Sequence, residues 1–147
     1  MDRLVADGAR VINTSSVANR IFGRFDIDDL DARRRYAPNR AYGNAKLANI
    51  LFTTELDRRY GSQGIRTVAF HPGGVATGFA AGSTSPMRIV YQSVLRRFLL
   101  SPDQGADTLV WLATARPGAD WAPGGYYVKR AIAKVNPQVR VRDDVMG

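Results

Sequence analysis

The run Ala41-Tyr42-Gly43-Asn44-Ala45-Lys46-Leu47-Ala48-Asn49-Ile50-Leu51-Phe52 combines a helical apolar spacing with a tyrosine and a lysine four residues apart. Side chains at that separation stack on one face of a helix. A phenol, with an unperturbed pKa of about 10, is a poor base at neutral pH. A neighbouring ammonium favours the phenolate. Such a pair can move a proton to or from a carbonyl or alcohol oxygen. Tyr-x-x-x-Lys also arises by chance in helices, so the pair gains weight only from what surrounds it.

Working outward, the spacing predicts a helix over residues 40–60, with Asn39 as N-cap. Ala41, Ala45, Ala48, Phe52 and Leu56 form its apolar face, Arg58 and Arg59 lie in its last turn, and Gly61 ends it. Upstream, residues 9–16 are β-branched, open after Gly8 and read as a short buried strand ending in Ser15-Ser16. Residues 22–38 are irregular and carry Asp26, Asp28, Asp29 and Asp31 beside Arg33, Arg34 and Arg35, a solvated loop with internal ion pairing. Downstream, residues 66–70 read as a second strand, stopping at His71-Pro72-Gly73-Gly74. Residues 86–100 predict an amphipathic helix, a lid over a substrate pocket. Ser101-Pro102-Asp103-Gln104 is a capping-box helix start, and that helix ends near residues 116–118. A third strand at residues 125–129 leads into a basic tail, with Tyr126 and Tyr127 on opposite faces. Strands alternating with helices predict an α/β fold with a parallel sheet. The C-terminal ends of parallel strands are where ligand sites form in such folds. Ser15-Ser16 and Pro72-Gly73 both fall at such ends; their plainer reading is turn chemistry.

Composition narrows the classes. The 147 residues are 45% apolar, too rich for a disordered polymer. No uninterrupted apolar run reaches the roughly 18–20 residues of a membrane-spanning helix. The first residues lack the apolar core of a secretory signal, so a cytoplasmic location is expected. There is no cysteine, which excludes disulfides, thiolate nucleophiles and cysteine metal sites. The net charge of +8 is spread over both halves, and 18 of the 21 basic residues are arginine. Such an excess favours anionic partners without choosing among them. The Asp26–Asp31 run lacks the glycine and terminal glutamate of a calcium loop, and His71 has no companion ligands, so no metal is expected. Nucleic-acid binding is not expected either.

Taken in order, these segments resemble the short-chain dehydrogenase/reductase family, and most closely its retinol-dehydrogenase-like branch. The carriers are the strand running into Ser15-Ser16-Val17-Ala18, the pair Arg35-Tyr36, the run from Ala41 to Phe52, His71-Pro72-Gly73-Gly74-Val75-Ala76-Thr77, and Ser101-Pro102-Asp103-Gln104-Gly105-Ala106. The resemblance implies that Tyr42 is the general acid/base, that Lys46 activates it and holds the nicotinamide ribose, and that Ser16 positions the substrate oxygen. It implies cofactor contacts from Tyr42, Lys46, Pro72, Gly73, Val75 and Thr77, with NAD or NADP as cofactor and hydride transfer between a carbonyl and an alcohol. The 26-residue step from Ser16 to Tyr42 points to the branch, and with it to a lipophilic substrate.

The fold implied is a Rossmann-like parallel sheet, incomplete: three C-terminal strands with flanking helices. No Gly-x-Gly-x-x-Gly occurs in the 147 residues. The expectation is therefore a C-terminal catalytic half, with the N-terminal dinucleotide-binding half absent. The expected partners are a small carbonyl or alcohol and a second copy of the chain. A weak membrane-surface contact through the basic, apolar residues 86–100 stays open. The competing reading is a catalytically inert chain serving as an interaction or oligomerising module.

Overall fold

A computed structural model describes residues 1–73 and 101–139. In chain order the elements are α1 (Asp2–Ala6), β1 (Arg10–Thr14), α2 (Ala18–Ile21), α3 (Pro38–Tyr60), β2 (Arg66–His71), α4 (Pro102–Thr114), β3 (Tyr126–Val128) and β4 (Ala131–Ile132). Short 3-10 turns occur at Ile27–Asp29 and Gly61–Gln63. The expected helix at residues 86–100, with Gly74, Val75, Thr77 and the end of the basic tail, lies outside the described residues.

The sheet runs β1-β2-β3-β4, parallel across the first three strands and antiparallel at the last. Its central strand, β2, is buried along Thr67, Val68, Ala69 and Phe70, as a parallel strand covered on both faces must be. Successive side chains feed opposite layers. Ala69 and Tyr126 join Leu47 and Ile50 of α3, whereas Val68, Phe70 and Tyr127 join Leu112 of α4 and Trp121. The two tyrosines do face opposite ways. The α/β reading and the parallel three-strand core agree with the structure; β4 is an addition to it. β1 is half-buried rather than buried, because β2 is its sole partner strand among the described residues.

Helix α3 differs from expectation in two respects. It starts earlier, with Ala37 at the N-cap and Pro38 in the first turn, so Asn39 lies inside the helix. Proline fits there because its missing N–H would have no intrahelical partner. The buried face is also largely another one: Leu56 is buried as expected, but it is Gly43, Leu47, Ile50 and Thr53 that point inward with it, while Ala45, Ala48 and Phe52 are exposed. The helix carries two apolar stripes, and the one with more aliphatic bulk gains more from leaving water. A polar seam ties this face to the sheet. Thr53 Oγ1 donates to the Asn49 carbonyl (2.7 Å) and accepts from Asn13 Nδ2 (2.9 Å), and Thr67 Oγ1 donates to the Thr53 carbonyl (2.9 Å). At the C-terminal end Glu55 accepts from Arg58 and Arg59, which hold its carboxyl down to about 2. The chain then tightens into a 3-10 turn and reverses at Gly64, where φ is +101°, a conformation glycine adopts without strain.

Helix α4 starts as the sequence predicts. The Gln104 amide donates to Ser101 Oγ (3.2 Å), and the Gln104 side chain accepts from the Ser101 amide (2.9 Å). Ser101→Ala is expected to cost about 1 kcal/mol, read as a lower urea midpoint with an unchanged slope. The helix stops at Thr114, where the Arg10 guanidinium crosses from β1 to donate to the carbonyls of Leu112 (2.8 Å) and Ala113. A cation at a helix C-terminus satisfies carbonyls that have no intrahelical donor.

Candidate active site

Parallel register aligns Thr14, the last residue of β1, with Phe70 of β2, so the segments after both strands emerge at one edge of the sheet. After β1 come Ser15 and Ser16, and the structure separates their roles. Ser15 is buried: its amide donates to the Phe70 carbonyl (2.7 Å) and its Oγ to the Lys46 carbonyl (2.7 Å). It is consumed in joining the strand to α3. Ser16 is half-buried, and its Oγ accepts from the Ala18 amide (3.2 Å). Its hydroxyl proton has no acceptor among the described residues.

From α3, Lys46 reaches the same edge. Its Nζ lies 3.4 Å from the Thr14 carbonyl and 5.6 Å from the centre of the Tyr42 ring. Phenol, ammonium and strand end therefore form one cluster, as the i, i+4 spacing predicts. Tyr42 is 39% exposed. Asn49, three residues beyond Lys46, donates to the same Thr14 carbonyl (2.8 Å). The sequence reading passed over Asn49, although its i, i+3 spacing from Lys46 was a usable signal.

After β2, Pro72 and Gly73 sit beside this cluster's strand end. Gly73 has φ +90°, and its amide donates to His71 Nδ1 (3.4 Å). Burial lowers the His71 pKa below the ordinary imidazole value. Its Nδ1 serves as a local acceptor.

A second set of residues went unread in the sequence. Asn19, fully buried in α2, donates to the Ser16 carbonyl (2.6 Å) and to the Tyr126 hydroxyl (3.4 Å). Asn136 donates to the carbonyls of Asn19 (2.7 Å) and Gly23 (2.8 Å). These two asparagines fasten the turn carrying Ser16 to the end of the described chain. No sequence pattern marks Asn136, because its partners lie more than a hundred residues away.

Burial pushes the Tyr126 hydroxyl up to about 12, against the opposing pull of Asn19 and Ser15. Unfolded tyrosine ionises near pH 10, so between about pH 10 and 12 the unfolded chain binds fewer protons than the folded one. Stability from this group is complete below that window and is lost on rising through it. The urea midpoint should fall from pH 9 to pH 11, and Tyr126→Phe should flatten the fall.

No family model matches the chain. Among curated proteins it is 42% identical over 130 residues to DnrU of Streptomyces sp. (strain C5), named as a candidate daunorubicin C-13 ketoreductase, covering 88% of this chain and 42% of that protein. It is 35% identical to human retinol dehydrogenase 12, covering 95% of this chain and 43% of the relative. It is 33% identical to the short-chain dehydrogenase/reductase prx1 of Penicillium roqueforti, covering 82% and 35%. The chain thus spans less than half the length of these relatives. Among solved structures, a 3-oxoacyl-[acyl-carrier protein] reductase from Brucella melitensis superposes with a TM-score of 0.56 at 28% identity, covering 85% of this chain and 42% of that one.

Proposed function

Since the chain belongs to the short-chain dehydrogenase/reductase family, we propose that it is the catalytic half of an oxidoreductase that interconverts a lipophilic carbonyl compound and its alcohol. The observation that carries this reading is the placement of Lys46 Nζ against both the Tyr42 ring and the last carbonyl of β1. The described residues suit the ribose–nicotinamide end of an NAD or NADP cofactor. Lys46 spends one N–H on Thr14 and has two more for ribose hydroxyls. Gly73, with its positive φ, allows a flat ring to approach the backbone after β2. Val75 and Thr77, outside the described residues, extend that contact by family likeness. When bound, the nicotinamide exchanges a hydride with the substrate carbon.

The chain's own groups handle the oxygen. In the reducing direction Tyr42 gives its phenolic proton to the substrate oxygen, and in the oxidising direction it takes one back. The fixed Lys46 charge stabilises negative charge on the phenol oxygen as the proton leaves. Ser16 donates its uncommitted hydroxyl proton to the same substrate oxygen, holding it against Tyr42. The name of the ketoreductase relative and those of the retinol dehydrogenases favour a bulky lipophilic substrate. Association of two copies belongs to the same reading.

The test is nicotinamide oxidation by the intact protein with a panel of lipophilic aldehydes and ketones. Turnover that depends on both cofactor and carbonyl, and that Ser16→Ala lowers by about tenfold or more, supports the proposal. A folded protein that binds the cofactor and turns over none of the panel points instead to an inert interaction module.

A further inference from the structure

The loop leading into α3 plays no part in the chemistry above, and its side chains are arranged unusually. Residues 20–40 hold six arginines and four aspartates. Three of the aspartates are already engaged. Asp26 accepts from the Asp28 amide (3.1 Å), Asp29 from the amides of Arg33 (2.8 Å) and Arg34 (3.1 Å), and Asp31 pairs with Arg33 (3.1 Å). Two of these carboxylates are thus spent on backbone amides, which fold the loop but neutralise no guanidinium. Among the described residues Arg24, Arg34, Arg35 and Arg40 form no ion pair. All four line a single cleft of about 170 Å³, together with Asp26 and Asp29. Four arginines against two carboxylates, both bonded to backbone amides, leave the lining of this cleft with an excess of positive charge that favours an anion.

The apolar side chains beside the cleft decide which anion. Ile27 and Leu30 lie three apart across the 3-10 turn at Ile27–Asp29, a spacing that eclipses side chains in such a turn. They are 82% and 64% exposed, and Tyr36 on the same loop is 70% exposed. A small anion taken from water needs only the arginines and leaves these three residues without a purpose. A bilayer with anionic headgroups uses both sets, the arginines at the phosphates and the apolar tips at the headgroup–acyl boundary. We propose that residues 20–40 form a peripheral contact surface for anionic phospholipid membranes, with a headgroup phosphate seated in the Arg24/Arg34/Arg35/Arg40 cleft. On α3, Arg40 and Asn44 share one face and Tyr42 and Lys46 the opposite one. Membrane contact therefore leaves the reactive cluster uncovered, and the proposal does not rest on the catalytic reading.

Vesicle flotation tests it, with the 147-residue chain and liposomes of phosphatidylcholine alone or mixed with phosphatidylserine. The expected result is flotation with phosphatidylserine only, declining as salt rises. Arg34→Gln with Arg35→Gln should weaken it by about tenfold or more, and Ile27→Ser with Leu30→Ser should weaken it as well. All four side chains are outside the core, and an unchanged far-ultraviolet spectrum verifies the fold of each variant. Lack of flotation with phosphatidylserine overturns the proposal. So does flotation that ignores the Ile27→Ser/Leu30→Ser change, or that millimolar inorganic phosphate abolishes, either of which makes the cleft a site for a dissolved or protein-borne anion.

Discussion

Tyr42→Phe is expected to lower kcat for carbonyl reduction by about 10²–10⁴-fold, the range supplied by a positioned proton donor. The substitution keeps the ring, and therefore the contact with Lys46 Nζ 5.6 Å from the ring centre, and removes only the hydroxyl. Tyr42 is 39% exposed, so the loss of one oxygen leaves no cavity in the core. Cofactor affinity, which the proposal assigns to Lys46 and the segment after β2, should change little. A fall in kcat without a matching rise in KM is the pattern of an interaction made only in the transition state. A Phe variant that keeps turnover within tenfold of the parent would remove Tyr42 from the chemistry.

The second large effect is expected at the neighbouring residue. Glycine inside a helix is about 0.5–1 kcal/mol less favourable than alanine, so helix propensity alone predicts that Gly43→Ala stabilises the protein. The packing predicts the opposite. A Cβ at position 43 would lie 2.7 Å from the Gly23 nitrogen, from the Phe22 carbonyl carbon and from Phe22 Cβ. Two of those atoms are backbone and cannot turn aside. The residues they belong to close α2, the short helix that follows Ser16 and that Asn136 holds through the Asn19 and Gly23 carbonyls. Overpacking of this kind costs about 1–3 kcal/mol, so the clash outweighs the propensity. Gly43→Ala should lower the urea midpoint, Gly43→Val should lower it further, and both should reduce turnover by shifting Ser16. A Gly43→Ala protein more stable than its parent would show that α2 and α3 do not meet this closely.

The residues involved explain what could be read from the sequence and what could not. Local chemistry was legible: the capping box at Ser101 and Gln104, the alternation of Tyr126 and Tyr127, and the stacking of Lys46 on Tyr42 each depend on residues a few positions apart. Helix α3 was legible as a helix, but its buried face was not. Its two apolar stripes compete, and only the sheet, through Ala69 and Tyr126, selects Leu47 and Ile50 over Ala48 and Phe52. The hairpin into β4 was invisible because Lys129 and Arg130 occupy positive φ without the usual Asn-Gly signal. Arg130 is held there by Asp107 and Thr108 of α4, which bond its side chain and amide. The same limit applies at the site. The serine pair could be seen, but the assignment of Ser15 to structure and the freedom of Ser16 follow from the Lys46 carbonyl, 31 residues away. The Asn19–Asn136 clamp spans 117 residues and has no local trace.

The proposed chemistry turns on the Lys46 charge, held between the end of β1 and the Tyr42 ring, as the group that makes the phenol reactive. Steady-state kinetics of Lys46→Met in the intact protein, with saturating cofactor and one good carbonyl substrate, test it most directly. Methionine keeps an unbranched chain of similar length and removes the charge together with its N–H donors, one of which meets the exposed Thr14 carbonyl; saturating cofactor keeps the loss of the others out of kcat. The expected kcat is lower by about a hundredfold or more, with an unchanged urea midpoint. A Lys46→Met protein that turns over at the parental kcat, whatever its cofactor affinity, would contradict this role of the Lys46 charge.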